Sequence, residues 1–256
     1  MLIDTHCHLY KEYYEDIDSI IKLSKENNVV YYINNGCDAK SNVEVLESVE
    51  KYPSVYGALG IHPENVSNYN LDDIKFIEDN INNPKIVAIG EIGLDYHYSK
   101  ENKAEQIKLL ELQLELAEKY NMPVIIHSRD ATEDTINTLK KYKVKGVIHS
   151  FSGSLETAKI YIKMGYLLGI NGVVTFKNCN LKDVLKEIPI ENIVLETDSP
   201  YLTPVPFRGK QNNSSHILDI AKFISEIYDL TLDDVSRITT DNVLKLYTKI
   251  NCVRNF

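Results

Sequence analysis

Short runs rich in Val, Ile and Leu recur along the chain, separated by longer stretches in which apolar residues return every three or four positions. The short runs read as strands buried on both faces, as in a parallel sheet, and the longer stretches as amphipathic helices. Eight strands are predicted, over residues 2–6, 29–34, 55–60, 86–91, 124–127, 146–149, 166–169 and 193–196. The clearest helix covers 101–120, where Ile107, Leu110, Leu114 and Ala117 form one apolar stripe. Asn121 then stops it and Pro123 opens the next strand. Strand and helix repeated eight times favour an α/β closed (β/α)8 barrel, although an open doubly wound sheet has the same local pattern. After the eighth strand, 199–215 contains Pro200, Pro204, Pro206 and Gly209 among polar residues and reads as a long loop, followed by helices over 217–228 and 232–249.

With 256 residues and 43% of them hydrophobic, the chain can bury a full barrel core. No repeat, linker or low-complexity segment divides it, so residues 1–256 are expected to form one domain, the barrel with its C-terminal helices. The opening Met1-Leu2-Ile3-Asp4 lacks the pattern of a secretory leader. No apolar run approaches the about 20 residues of a membrane span. Cys7, Cys37, Cys179 and Cys252 have no paired spacing and are expected to be reduced thiols of a cytoplasmic protein. The net charge of −9 argues against a broad basic surface that would hold nucleic acid by counterion release. Any phosphate binding must be local, and divalent cations would supply local charge.

The histidines are where chemistry enters. His6, His8, His62, His127 and His149 each fall at or just after an apolar run, leaving His97 and His216 elsewhere. In a barrel enzyme the working side chains sit at the C-terminal ends of different strands. His6 and His8 are two apart and project to one side of an extended backbone, as two metal ligands must. Alternation turns Cys7 away from them. Glu91 follows the fourth run and Asp198 the eighth, which makes six imidazole or carboxylate ligands without a thiolate.

Asp4-Thr5-His6-Cys7-His8, Gly60-Ile61-His62-Pro63, Gly90-Glu91-Ile92-Gly93-Leu94-Asp95-Tyr96, His127-Ser128-Arg129, His149-Ser150-Phe151-Ser152-Gly153 and Glu196-Thr197-Asp198-Ser199-Pro200-Tyr201-Leu202 together resemble the motifs of the TatD deoxyribonucleases, in that family's order. The resemblance spans Asp4 to about Asn212. It implies a TIM barrel, two divalent metal ions and hydrolysis of nucleic-acid phosphodiesters, often from a 3′ end. By resemblance, His6, His8 and Asp198 hold one metal, His127 and His149 the other, and Glu91 bridges them. Two cations roughly 3.5–4 Å apart can clamp the attacking and leaving oxygens at phosphorus. Mixed imidazole and carboxylate ligands suit zinc, manganese or, less well, magnesium. Glu91 and Asp198 are thus the expected catalytic residues, Asp198 as ligand and also as proton acceptor. In related amidohydrolases a carbamylated lysine on the fourth strand commonly bridges, and Glu91 stands in that place here.

Around the metals, His62 resembles the family's phosphate-contacting histidine; its structural alternative is a bond to a loop carbonyl. Arg129 either reaches a phosphate or pairs with Asp130 or Asp95. Arg208 and Lys210 resemble a basic segment near the substrate, although Asn213-Ser214 stand where the family commonly has an acid and a proline. Tyr96 and Tyr201 either stack on a base or pack in the core. Glu196 supports a ligand from behind or anchors a loop. The expected substrate is DNA, or RNA, bound through local phosphate contacts, with no membrane and no obligate protein partner. Removal of a D-amino acid from tRNA, or hydrolysis of another ester or amide, is the alternative chemistry for the same site, and a metal-binding scaffold without turnover is the non-enzymatic one.

Overall fold

A computed structural model describes residues 1–97 and 100–250, so Cys252 lies outside the described residues. Its strands are β1 (Leu2–Cys7), β2 (Val29–Asn35), β3 (Val55–Leu59), β4 (Ile86–Asp95), β5 (Val124–Arg129), β6 (Gly146–Ile148), β7 (Leu167–Ile170) and β8 (Ile193–Leu195). They are parallel and lie side by side in chain order. Between and after them run α1 (Ile17–Glu26), α2 (Ala39–Lys51), α3 (Leu71–Asn80), α4 (Lys103–Tyr120), α5 (Thr132–Leu139), α6 (Leu155–Lys163), α7 (Leu181–Lys186), α8 (Ile217–Tyr228) and α9 (Leu232–Leu246).

The choice between barrel and open sheet is made where the last strand meets the first. Asp198 N donates to His6 O at 2.9 Å and His8 N to Ser199 O at 2.8 Å, a parallel ladder continued just past β8. Thr5 Oγ1 donates to Leu195 O at 3.0 Å, and the buried Asp4 carboxylate accepts from the Thr197 backbone N–H at 2.9 Å and hydroxyl at 2.6 Å. The seam is therefore closed by polar groups that would be unsatisfied if the sheet opened.

Ile3, Ile33, Val87, Ile125, Val147 and Val194 form a buried cluster joined by Val243, Tyr247 and Ile250 from the end of the described chain. This is the packed floor of the barrel. Leu2, Tyr32 and Ile86 join the larger core under the helices. Below the floor, Lys249 Nζ donates to Ile81 O at 2.9 Å and Ile86 O at 2.8 Å, tying the tail across the N-terminal strand ends. For this reason α9 stops at Leu246, with Tyr247 turned off the helix (φ −98°, ψ 75°), instead of continuing to Lys249 as its periodicity suggests.

Local signals explain most element ends. Asp38 and Ser41 form a reciprocal capping box at the start of α2, as do Asn70 and Asp73 at α3. Asn121 ends α4 in the left-handed conformation, as expected of that residue. Two strands are longer than the apolar runs imply. β4 continues through Glu91 to Asp95, and β5 through His127 to Arg129, paired Gly93 to His127 and Asp95 to Arg129. Glu91 is thus a mid-strand residue and not the last of its strand. The extension depends on Gly93, at φ +152°, whose missing Cβ would stand 1.9 Å from His127 O.

Candidate metal centre

At the mouth opposite the floor lies a cavity of about 540 Å³, lined among others by His8, Cys37, His62, Glu91, Asp95, His127, Arg129, His149, Asp198 and Tyr201. Glu91 is at its centre and 4% exposed. Its two oxygens face different groups. Oε2 is 3.2 Å from His6 Nε2 and 3.9 Å from His8 Nε2. Oε1 is 3.0 Å from His127 Nδ1, 3.7 Å from His62 Nε2 and 3.8 Å from His149 Nε2. Asp198 Oδ1 lies 3.8, 3.6 and 3.4 Å from the Nε2 atoms of His6, His8 and His149. The fold therefore brings together the residues expected as ligands, contributed by β1, β4, β5 and the segments following β1, β6 and β8. Asp198 and Ser150, the latter next to His149, both have positive φ, 55° and 49°. This sparsely populated conformation turns each chain sharply at the strand end.

The outer nitrogen of each ring decides what its inner nitrogen can do. His149 Nδ1 lies 2.9 Å from Glu196 Oε1, and His127 Nε2 lies 2.9 Å from Asp95 Oδ2. His8 Nδ1 faces the Asn35 carbonyl at 3.1 Å. The carbonyl facing His8 and the carboxylate facing His127 need a proton on the nitrogen that meets them, so the opposite nitrogen of each of these rings, when neutral, carries a lone pair directed inward; His149 Nδ1 stands at ion-pair distance from Glu196 without an aligned hydrogen bond. His62 is the reverse. Its Nδ1 accepts from the Glu64 backbone N–H at 3.3 Å, which leaves the proton on Nε2, facing Glu91 and the cavity. His6 stacks on His149 with ring centroids 3.5 Å apart, and its Nδ1 is buried without a hydrogen-bond partner.

Charge follows the same division. Burial opposes ionisation of Glu91, but His6, His149 and His62 around it outweigh burial and hold its pKa well below the usual carboxylate range. Asp198 is likewise lowered, burial being overcome by His149, His8 and His6. Burial also opposes charge on His149, yet Glu196, Asp198 and Glu91 raise its pKa to about 10. His127 reaches about 9 because hydrogen bonds to Asp95 and Glu91 overcome burial. His62, governed by burial and by the neighbouring His127, falls to about 3 and is neutral. Buried carboxylates thus demand positive charge on the inward nitrogens, and protons supply it where cations do not.

The contacts of several supporting residues are defined only in three dimensions. Asp95 was expected at most as a partner of Arg129; it instead backs His127. Glu196, fully buried, accepts from Ser150 N at 2.7 Å and occupies the space above Gly169, where a Cβ would come within 2.2 Å of its Oε2. Cys37 places Sγ 3.9 Å from Glu91 Oε2, a thiol beside a candidate ligand set that itself contains no thiolate. No sequence signal pointed to it.

The expected substrate contacts separate. His62 and Arg129 line the cavity, whereas Arg208 and Lys210 are exposed and absent from its lining. Arg208 instead stacks on Phe176, 3.8 Å from the ring centroid. Tyr96 is buried, its hydroxyl on Asp134 at 3.0 Å, which is the packing reading, while Tyr201 faces the cavity and is 50% exposed. His97 and His216 pair with Asp130 and Asp219, away from the centre. Cys7, Cys37 and Cys179 are free thiols. No helix among the described residues is long and apolar enough to cross a membrane.

Comparison with known proteins gives the family. The family model described as TatD related DNase matches residues 3–248. The chain is 40% identical over 252 residues to YabD of Bacillus subtilis, an uncharacterized metal-dependent hydrolase, covering 96% of this chain and 99% of that protein. It is 31% identical to the metal-dependent hydrolase YcfH of Escherichia coli over 255 residues, with 96% and 95% covered. The crystal structure of YjjV, a TatD homologue from Escherichia coli, matches with a TM-score of 0.92 at 29% identity, covering 96% of this chain and 98% of that one. A closed parallel barrel, a buried histidine and carboxylate centre at its mouth and a family match over nearly the full length lead to one conclusion: the chain belongs to the TatD family of metal-dependent hydrolases.

Proposed function

We propose that the chain is a deoxyribonuclease that hydrolyses DNA phosphodiesters from the 3′ end, using two divalent cations. His6, His8 and Asp198 would hold one and His127 and His149 the other, with Glu91 shared between them. The fit rests on one observation above all. Asn35 and Asp95 hold the outer nitrogens of His8 and His127, and Glu196 stands 2.9 Å from that of His149, so that the inner nitrogens of all three converge on carboxylates already ionised. Such ring orientation by outer partners is a general property of histidine metal ligands. Zinc or manganese suits this donor set better than magnesium. Bound there, two cations supply Lewis-acid polarisation of the phosphate and acidify water.

The protein's own groups do the rest. His62 presents Nε2–H to the cavity and donates to a phosphate oxygen; as a neutral ring it adds a hydrogen bond without repelling the cations. Arg129, at the end of β5, offers a planar fork to the same phosphate. Asp198, kept anionic by three histidines and 14% exposed at its side chain, accepts a proton from the attacking water.

The decisive experiment uses single-stranded DNA labelled at its 3′ terminus or its 5′ terminus, with protein stripped by chelator and resupplied with zinc, manganese or magnesium. Early release of labelled mononucleotide from the 3′-labelled strand, only with metal, is the expected result. Turnover of a D-aminoacyl-tRNA ester with no loss of nucleotides would overturn the reading.

A further inference from the structure

Charge alone does not explain how this cavity would hold a nucleotide. Its rim carries Glu12, Asp38, Glu44 and Glu64 against Lys40 and Arg129, and Lys40 Nζ is already engaged by Glu12 at 2.8 Å. The whole chain carries −9. Outside the cation positions, the walls attract a polyanion weakly, so affinity must have a second source.

One wall is aromatic. Tyr13 and Tyr201 meet edge to face, with centroids 5.8 Å apart at 73°, and their hydroxyls are hydrogen-bonded at 2.9 Å. The Tyr201 centroid is 6.4 Å from that of His8, whose other edge faces Glu91 and Asp198. The main chain beneath both tyrosines is held, Gln211 Nε2 donating to the Tyr13 carbonyl at 2.7 Å and Asn212 Nδ2 to the Tyr201 carbonyl at 2.6 Å. Tyr201 is nevertheless 50% exposed, a large ring at the cavity wall oriented by its edge contact and hydroxyl bond to Tyr13. Aromatic faces accept any base, and a ring fixed in advance loses little entropy on binding.

We propose that Tyr201, braced by Tyr13, is a platform on which the base of the terminal nucleotide stacks while its phosphodiester lies over Glu91 and Asp198. The inference rests on the nuclease reading above and specifies its substrate as an unpaired end, because a base must leave its helical stack to lie on the ring. Contribution from stacking is sequence-tolerant, so the four bases are accepted alike.

The test compares two metal-loaded reactions, on single-stranded DNA ending in a normal nucleotide and on the same strand ending in an abasic tetrahydrofuran residue. Base stacking predicts that kcat/KM favours the base-bearing end by roughly five- to a hundredfold, the range typical of stacking on one aromatic ring. In Tyr201→Ala that ratio should collapse towards one, and in Tyr201→Phe, which keeps the ring and loses the hydroxyl, it should persist. Metal content and thermal midpoint of each variant verify that the centre is intact. Equal cleavage of both ends by the unmodified chain would overturn the platform and leave the nuclease reading standing. Loss of the ratio in Tyr201→Phe would replace stacking by a hydroxyl contact. If neither DNA is cut while an aminoacyl ester is, the nuclease reading fails and the platform with it.

Discussion

Glu91 is the residue on which both halves of the centre depend, since each of its oxygens faces a different set of nitrogens. Glu91→Ala should lower metal content at both positions and abolish turnover, whereas His127→Ala should retain the cation held by His6, His8 and Asp198. Mass spectrometry of gently desalted protein reads this directly, and a folded Glu91→Ala chain that kept two metals would end the bridging assignment. His62 poses the complementary case. Its Nε2–H orientation makes it a donor, so His62→Ala should slow hydrolysis by roughly 10²-fold, as loss of one transition-state donor does, with metal content unchanged. Loss of a metal in that variant would make it a ligand. The candidate ligands and His62 could be picked out in the sequence because each polar residue directly follows, or interrupts, an apolar run that must end at one mouth of a barrel, and the fold brings them together there. Cys37 also follows such a run, but a lone cysteine after a strand carries no chemical signal of its own.

Strands and the residues just after them aim this centre, three candidate ligands from each. β4 and β5 run side by side past the apolar stretch, and Asp95 stands four residues beyond Glu91, beside the ring that Glu91 also touches. At the other side, Gly169 in β7 makes room for Glu196 just after β8, and Glu196 fixes His149. Glu196→Ala should weaken cation binding by about 10–100-fold, the usual cost of removing the outer partner of a histidine ligand. Competition with a chelating dye measures it, and an unchanged affinity would reduce Glu196 to a loop anchor for Ser150. Gly169→Ala should have the same effect by displacing the Glu196 carboxylate. Element order and type were legible because buried parallel strands and amphipathic helices have different periods. The true ends of β4 and α9 were not, because Gly93 reads locally as a breaker, and the helical pattern of 232–249 persists where tertiary contacts have already turned the chain.

Coupling of the centre to folding gives a pH signature for the metal-free protein. His127 and His149, raised to about 9 and about 10, contribute stability that is fully present below their ordinary pKa near 6.5 and is lost as pH climbs through the raised values. His62, lowered to about 3, acts oppositely and contributes stability that is lost as pH falls below 6.5. The thermal midpoint of chelator-treated protein should therefore peak near neutrality and decline toward pH 9, and added zinc or manganese should flatten the alkaline side by taking the protons' places. A metal-free midpoint constant from pH 6.5 to 9 would contradict the charge distribution described above. The chain's amino-acid order alone was enough to establish alternating strands and helices, a core large enough for a barrel and a set of candidate ligands in or just after the strands, since period and residue chemistry are local properties. Barrel closure was not, because it is made by Asp4, Thr197 and Asp198 acting across nearly 200 positions of chain. Nor were the orientations of the His8, His127 and His149 rings, since each is set by whichever distant carbonyl or carboxylate the fold places behind it.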